Sequence, residues 1–277
     1  MRRLSLPSGR TIPAFGLGTW RMGEDPAARA AEADALRLSL DLGMPLIDTA
    51  EMYGEGEAER IVGEVLAGRR DRVFLVSKVY PHHGGRAQAV AACERSLRRL
   101  GTDHLDLYLL HWRGSVPLAE TLEAFEALRR DGKILDHGVS NFDPADLDEA
   151  AALPGGRHVA TDQVLYNLSR RGIEHDLLPW CRARGLPVMA YSPLGQGRLL
   201  RHPVLKAVAE RRGATTAQVA LAWLLDQDGV VVIPKATDLE HVRENVAAVD
   251  LRLGGQDRAD LERAFPPPTG PVPLAIL

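Results

Sequence analysis

The sequence predicts an α/β protein: a (β/α)8 TIM barrel with an N-terminal β-hairpin and a short C-terminal tail. Three observations predict it. Eight short, near-continuous apolar runs recur along the chain, separated by longer amphipathic stretches with the 3.6-residue period. The 277 residues read as one domain, 1–277, without a low-complexity linker or a boundary. A doubly wound sheet would place a glycine fingerprint in its first strand-to-helix turn. The nearest strings, "GLGTWR" and "GQGRLL", lack it, and there is no Walker A string.

The elements follow in order. "RRLSLPSGRTIPA" (2–14) has a "PSGR" turn between two extended runs and predicts a hairpin ahead of the barrel. The barrel strands are expected at 14–19, 45–50, 73–78, 105–112, 134–141, 158–166, 186–194 and 230–235. Their continuous apolar character suits a parallel sheet covered by helices. Helical patterns include 57–67, with Ile61, Val62, Val65 and Leu66 on one face. Others are 118–130, with Leu118, Leu122, Phe125 and Leu128, and 216–226, with Val219, Ala220, Trp223 and Leu224. The proline-rich tail 266–277 cannot continue as helix.

Composition narrows the function. Charged residues are 26% of the chain, both signs are mixed, and the formal net charge is −3, so neither a nucleic acid nor an anionic membrane is expected as partner. No apolar run approaches a membrane span, and no secretory leader pattern opens the chain. The two cysteines, Cys93 and Cys181, fall in helix-like segments and fit a reducing, cytoplasmic setting. No metal site is expected: the cysteines carry no metal spacing, and His82 and His83 read as a loop doublet near the substrate entrance. Glu51 and Glu57 read as a loop residue and a first-turn helix residue.

Active sites of such barrels lie at the C-terminal ends of the strands. The polar groups ending these strands are Asp48, Lys78, His111, Ser140 with Asn141, Gln163, Tyr191 with Ser192, and Lys235, and Tyr53 follows the second strand. Each alone has a plain structural reading: a distant helix cap, a surface lysine, a hydrogen-bonded histidine. Together they form a proton-transfer set. A tyrosine of ordinary pKa about 10 is a poor acid–base group, and a neighbouring ammonium favours its phenolate. Lys78 would supply that cation and lower the pKa of Tyr53, Asp48 would hold Lys78, and His111 would bond a substrate oxygen. The set moves one proton to or from a carbonyl oxygen or hydroxyl and lacks an electron source, so a hydride donor must come from a bound cofactor.

These residues resemble the aldo-keto reductase family. "GLGTW" (16–20), "IDTAEMYGEGEAE" (47–59), "LVSKV" (75–79), "LDLYLLHW" (105–112), "GVSNF" (138–142), "QVLYN" (163–167), "AYSPLGQG" (190–197) and "VIPKAT…HVREN" (232–245) look like family motifs in family order. Within the family, the chain looks most like bacterial reductases of the methylglyoxal reductase kind. The resemblance implies an NADPH-dependent carbonyl reductase with a catalytic tetrad of Asp48, Tyr53, Lys78 and His111, Tyr53 giving the proton. It also implies a nicotinamide near Tyr191, with its carboxamide at Ser140, Asn141 and Gln163. Asp48 would lie near the ribose, Thr19 would face the cofactor, and Ser192 and Leu194 would join the cofactor set. Trp20, Met52 and Trp112 would wall the substrate pocket with Tyr53 and His111.

For the adenosine end, the resemblance implies Lys235, His241, Glu244 and Asn245. Many members have Ser or Thr where this chain has Ala236, and arginine where it has His241. NADPH is therefore expected, with NADH as a weaker alternative. The short tail suggests an open site accepting small aldehydes and ketoaldehydes, and a monomer is expected. Two rival readings are a non-catalytic NADPH-binding regulatory barrel and a cofactor-free enzyme using Lys78 as a Schiff base.

Overall fold

The computed structural model describes residues 2–277. Strand β1 (Arg3–Ser5) pairs antiparallel with β2 (Thr11–Pro13), and Gly9, at φ 85°, makes the left-handed step of the turn between them. Leu6 and Ile12 pack with side chains from inside the barrel, so the hairpin plugs the end opposite the strand C-termini. Arg10 holds it there through Asp106 and Asp136 at 2.9 and 3.1 Å.

Eight parallel strands follow: β3 (Gly16–Gly18), β4 (Leu46–Asp48), β5 (Phe74–Val79), β6 (Leu105–Leu110), β7 (Ile134–Ser140), β8 (Val159–Leu165), β9 (Val188–Tyr191) and β10 (Val230–Val232), each paired with its neighbour in sequence. The barrel closes where Phe15 bridges Val232 and Gly18 N–H donates to the Pro234 carbonyl at 2.9 Å. All eight strands overlap the runs read from sequence.

The helices are α1 (Arg29–Asp41), α2 (Glu57–Leu66), α3 (Arg86–Leu100), α4 (Leu118–Arg130), α5 (Pro144–Ala152), α6 (Leu177–Ala183), α7 (Pro203–Arg212), α8 (Thr216–Leu225), α9 (Leu239–Ala247) and α10 (Gly255–Ala264). The apolar faces expected of α2, α4 and α8 are buried against the strands. The polar helices α7 and α10 stand outside the eightfold repeat and have little apolar period to read. Arg211 and Arg212 of α7 instead pair with Asp257 of α10, whose side chain is fully buried. The tail after Phe265 forms no helix, as its prolines require.

Strand alternation sets the site. Phe74 and Val76 point into the barrel, so the next residue of that phase, Lys78, enters the mouth above them. Leu46 directs Asp48 likewise, and Leu107 and Leu109 direct His111. In β8 the alternation breaks. Ala160 faces the interior, yet Val164 belongs to the outer core, because the register against β7 shifts between His137 and Val139. That shift is what brings Gln163 inside, to Asp48.

Candidate active site

Asp48 ends β4 and is almost fully buried. Its Oδ2 accepts from Lys78 Nζ at 2.7 Å, and its Oδ1 accepts from Gln163 Nε2 at 2.8 Å. Lys78 is completely buried, and its ammonium also donates to the Thr49 carbonyl at 2.8 Å and the Tyr53 hydroxyl at 3.4 Å. Tyr53 arrives on a tight turn: Gly54, Glu55 and Gly56 all adopt left-handed backbone before α2 begins. A side chain at Gly54 would press against the backbone of Met22 and Gly23 at 3.0 Å, so glycine is needed there for space as well as φ. The His111 ring meets Tyr53 edge-on, 5.7 Å between centroids.

Burial dominates the electrostatics. It pushes the Tyr53 phenol well above its ordinary value, and Asp48 pushes in the same direction. Burial also lowers Lys78, against the opposing pull of Asp48. This corrects the expectation that Lys78 brings the tyrosine below its ordinary value: burial and the Asp48 charge outweigh the ammonium, which Asp48 itself holds at 2.7 Å. Burial first, then the Lys78 charge, holds His111 well below the ordinary histidine range, which keeps the imidazole neutral. Its Nδ1 is buried without a partner among the described residues.

Above this set lies a cavity of about 170 Å³. Asp48, Tyr53 and His111 form its base, and Trp20, Met52 and Trp112 form one side. The facing side is a polar shelf of Ser140, Asn141, Gln163, Tyr191 and Ser192, with Lys235 at the edge. The shelf is knitted together: Tyr191 donates to Asn141 Oδ1 at 2.9 Å, Asn141 Nδ2 donates to the His111 carbonyl at 3.1 Å, and Ser140 donates to the Gln163 carbonyl at 2.7 Å. Asn141 and Ser192 hold left-handed backbone, at φ 61° and 47°, strain that is found where a loop must present a functional group.

Several residues named from sequence lie away from the cavity wall. Thr19 is fully buried and turns its hydroxyl to the Asp48 carbonyl at 3.1 Å. Leu194, His241, Glu244 and Asn245 do not line it; the last three lie on α9, where His241 is exposed and Asn245 buried. Asp238 caps that helix, accepting from Glu240 and His241 N–H at 2.8 and 3.2 Å.

Two features were not legible. Ile276 and Leu277, both more than half exposed, line the cavity, and Leu277 N–H lies 3.4 Å from the Tyr191 hydroxyl, so the tail adds to the cavity wall. Glu51, read as a loop residue, is buried among groups from the next strand's loop. Outside the site, Glu126, His137 and His158 gather three ligand-type side chains, but the Arg129 guanidinium supplies the cation there, 2.9 Å from Glu126.

A family model described as the aldo/keto reductase family matches residues 14–264. The chain is 52% identical over 272 residues to methylglyoxal reductase YeaE of Escherichia coli (strain K12), covering 96% of each chain. It is similar to an aldo-keto reductase from Klebsiella pneumoniae crystallised with NADPH, at TM-score 0.96 and 51% identity, covering all of both chains. A Klebsiella pneumoniae structure with NADP and acetate gives the same TM-score, 0.96, and identity, 51%, over 99% of each chain.

Proposed function

The chain belongs to the aldo/keto reductase family, and on that premise we propose that it reduces small aldehydes and ketoaldehydes of the methylglyoxal kind to alcohols, using NADPH. The observation that carries this reading is the Tyr53 hydroxyl, set in the cavity wall 3.4 Å from Lys78 Nζ, whose ammonium Asp48 holds at 2.7 Å.

The polar shelf fits a nicotinamide. Ser140, Asn141 and Gln163 offer amide and hydroxyl groups beside the Tyr191 ring, matching a planar ring that bears a carboxamide. A bound NADPH would supply the hydride for the carbonyl carbon. Tyr53 donates the proton to the carbonyl oxygen. An alkoxide is a far stronger base than a phenolate, so a phenol of raised pKa remains a competent donor. Lys78 and Asp48 hold the phenol in place, and the nearby ammonium eases the charge left after transfer. Neutral His111 orients the carbonyl without competing as a proton source.

Trp20, Met52 and Trp112 supply apolar walls for the substrate. Among the described residues no helix is long and apolar enough to cross a membrane. A single-domain, monomeric, cytoplasmic enzyme is the form we propose. Lys235, His241, Glu244 and Asn245 are assigned to the adenosine end. Ala236 and His241 make the preference for NADPH modest, since a neutral imidazole contributes less than arginine to a 2′-phosphate.

The Schiff-base reading is disfavoured because all three ammonium hydrogens of Lys78 have oxygen acceptors. A spectrophotometric screen of methylglyoxal, simple aldehydes and ketoses with NADPH and with NADH tests the proposal. Oxidation of NADPH by methylglyoxal or a simple aldehyde is expected, and no turnover of any of these carbonyls would refute it.

A further inference from the structure

We propose that Glu51 is a positioning residue: its buried carboxylate clamps the loop carrying Tyr53 to the loop after β5, and thereby sets where Tyr53 delivers its proton. This rests on the reading of Tyr53 as the proton donor.

The geometry is specific. Glu51 lies two residues before Tyr53 and is 7% exposed. Its Oε1 accepts from Tyr80 N–H at 2.8 Å and pairs with His83 Nδ1 at 2.9 Å. Its Oε2 faces Arg95 of α3 at 3.6 Å. Its own N–H donates to the Lys78 carbonyl at 3.3 Å. One residue thus ties the Tyr53 loop to the strand bearing Lys78, to the loop beyond it and to the next helix. A carboxylate this buried costs free energy unless donors surround it, and here they do.

Through its ring, Tyr80 reaches a residue of the cavity wall. The Tyr80 ring packs edge-on against Trp112, 6.1 Å between centroids, and against His83 at 5.9 Å. Trp112 in turn packs on His111 at 5.0 Å, and His111 on Tyr53. The contacts close a ring: Glu51 fixes Tyr53 from one side and, through Tyr80, the wall that faces it from the other. None of the groups that touch Glu51 belongs to the polar shelf assigned to the nicotinamide. The clamp therefore acts on proton delivery and not on cofactor binding.

The experiment is single-turnover reduction of methylglyoxal by preformed enzyme–NADPH complex, with NADPH affinity measured separately by fluorescence, well below the melting temperature of each variant. Glu51→Ala is expected to slow the single turnover by about tenfold or more, since small displacements of a reacting group carry losses of that order. NADPH affinity is expected to stay within about twofold, because the clamp has no contact with the shelf. Glu51→Asp keeps the charge but withdraws the carboxylate by one methylene; it is expected to slow the reaction to the same extent and serves alone if Glu51→Ala does not fold. A slowing of less than tenfold in the folded variant, or a parallel loss of NADPH affinity, overturns the proposal. Wild-type turnover in Tyr53→Phe would overturn the proton-donor reading and this proposal with it. A slow Tyr53→Phe beside a fast Glu51 variant overturns the clamp alone.

Discussion

Lys78 Nζ lies 3.4 Å from the Tyr53 hydroxyl and only 2.7 Å from Asp48 Oδ2. The ammonium is thus shared unequally: its charge is matched by the carboxylate, while one hydrogen is directed at the phenol. The pair holds the tyrosine without ionising it.

That arrangement makes stability and activity separable. Lys78→Met leaves Asp48 as an unmatched buried carboxylate, with an expected loss of about 3–5 kcal/mol and of about a hundredfold or more in turnover. The double variant Asp48→Asn/Lys78→Met removes both charges and is expected to recover part of the stability and none of the activity. Chemical denaturation and steady-state assays on the two variants check this.

The pH profile follows from two directions of shift. Tyr53 is raised, so its proton is present below the raised pKa and lost only above it. His111 is held well below its ordinary value of about 6.5 and stays neutral through that range. For reduction, kcat/KM is expected to be level from about pH 6 to 8, with an alkaline fall where the Lys78 ammonium, lowered by burial, or the raised Tyr53 phenol loses its proton. A limb near pH 6.5 would assign His111 a charge it should not carry.

Acid sensitivity is expected from the outer layer. The hydrogen bond from His137, then those from Arg129 and His158, hold the Glu126 carboxyl well below its ordinary range, while burial keeps His137 itself depressed. Both shifts have the same sign for stability. The contribution is present above the unfolded-state values and is lost as pH falls toward the depressed folded values. Glu126→Gln is expected to lose about 1–3 kcal/mol at pH 7, and less at pH 4. Urea unfolding at both pH values measures the difference.

On the proposed assignment of His241 to the adenosine end, cofactor preference is adjustable at α9. His241 is exposed and Asp238 already places a carboxylate at the start of that helix. His241→Arg adds a permanent charge, and is expected to tighten NADPH by about fivefold while leaving NADH nearly unchanged. Fluorescence titration with each cofactor reads this directly.

The barrel and most of the site were legible because period-two alternation fixes which strand residues face inward. Asp48, Lys78 and His111 follow from Leu46, Val76 and Leu109 by counting. Gln163 follows the motif but not the counting, since the shift in β8 that turns it inward leaves no mark in composition. The place of the tail was not legible because length says nothing about direction: Ile276 and Leu277 come back to line the cavity. Glu51 was passed over because its partners, Tyr80, His83 and Arg95, are remote in sequence, and a lone acid in a loop looks solvated. The raised tyrosine was missed for a related reason. Residue types gave the ammonium, but only burial and the 2.7 Å pairing with Asp48 gave the balance of charge.

The most direct test of the central claim is Tyr53→Phe, which removes one hydroxyl and keeps the ring. NADPH is expected to bind with wild-type affinity, because the shelf of Ser140, Asn141, Gln163 and Tyr191 is untouched, while the single-turnover rate of methylglyoxal reduction falls by about a hundredfold to ten-thousandfold. Reduction at a near-wild-type rate in this variant would contradict the account.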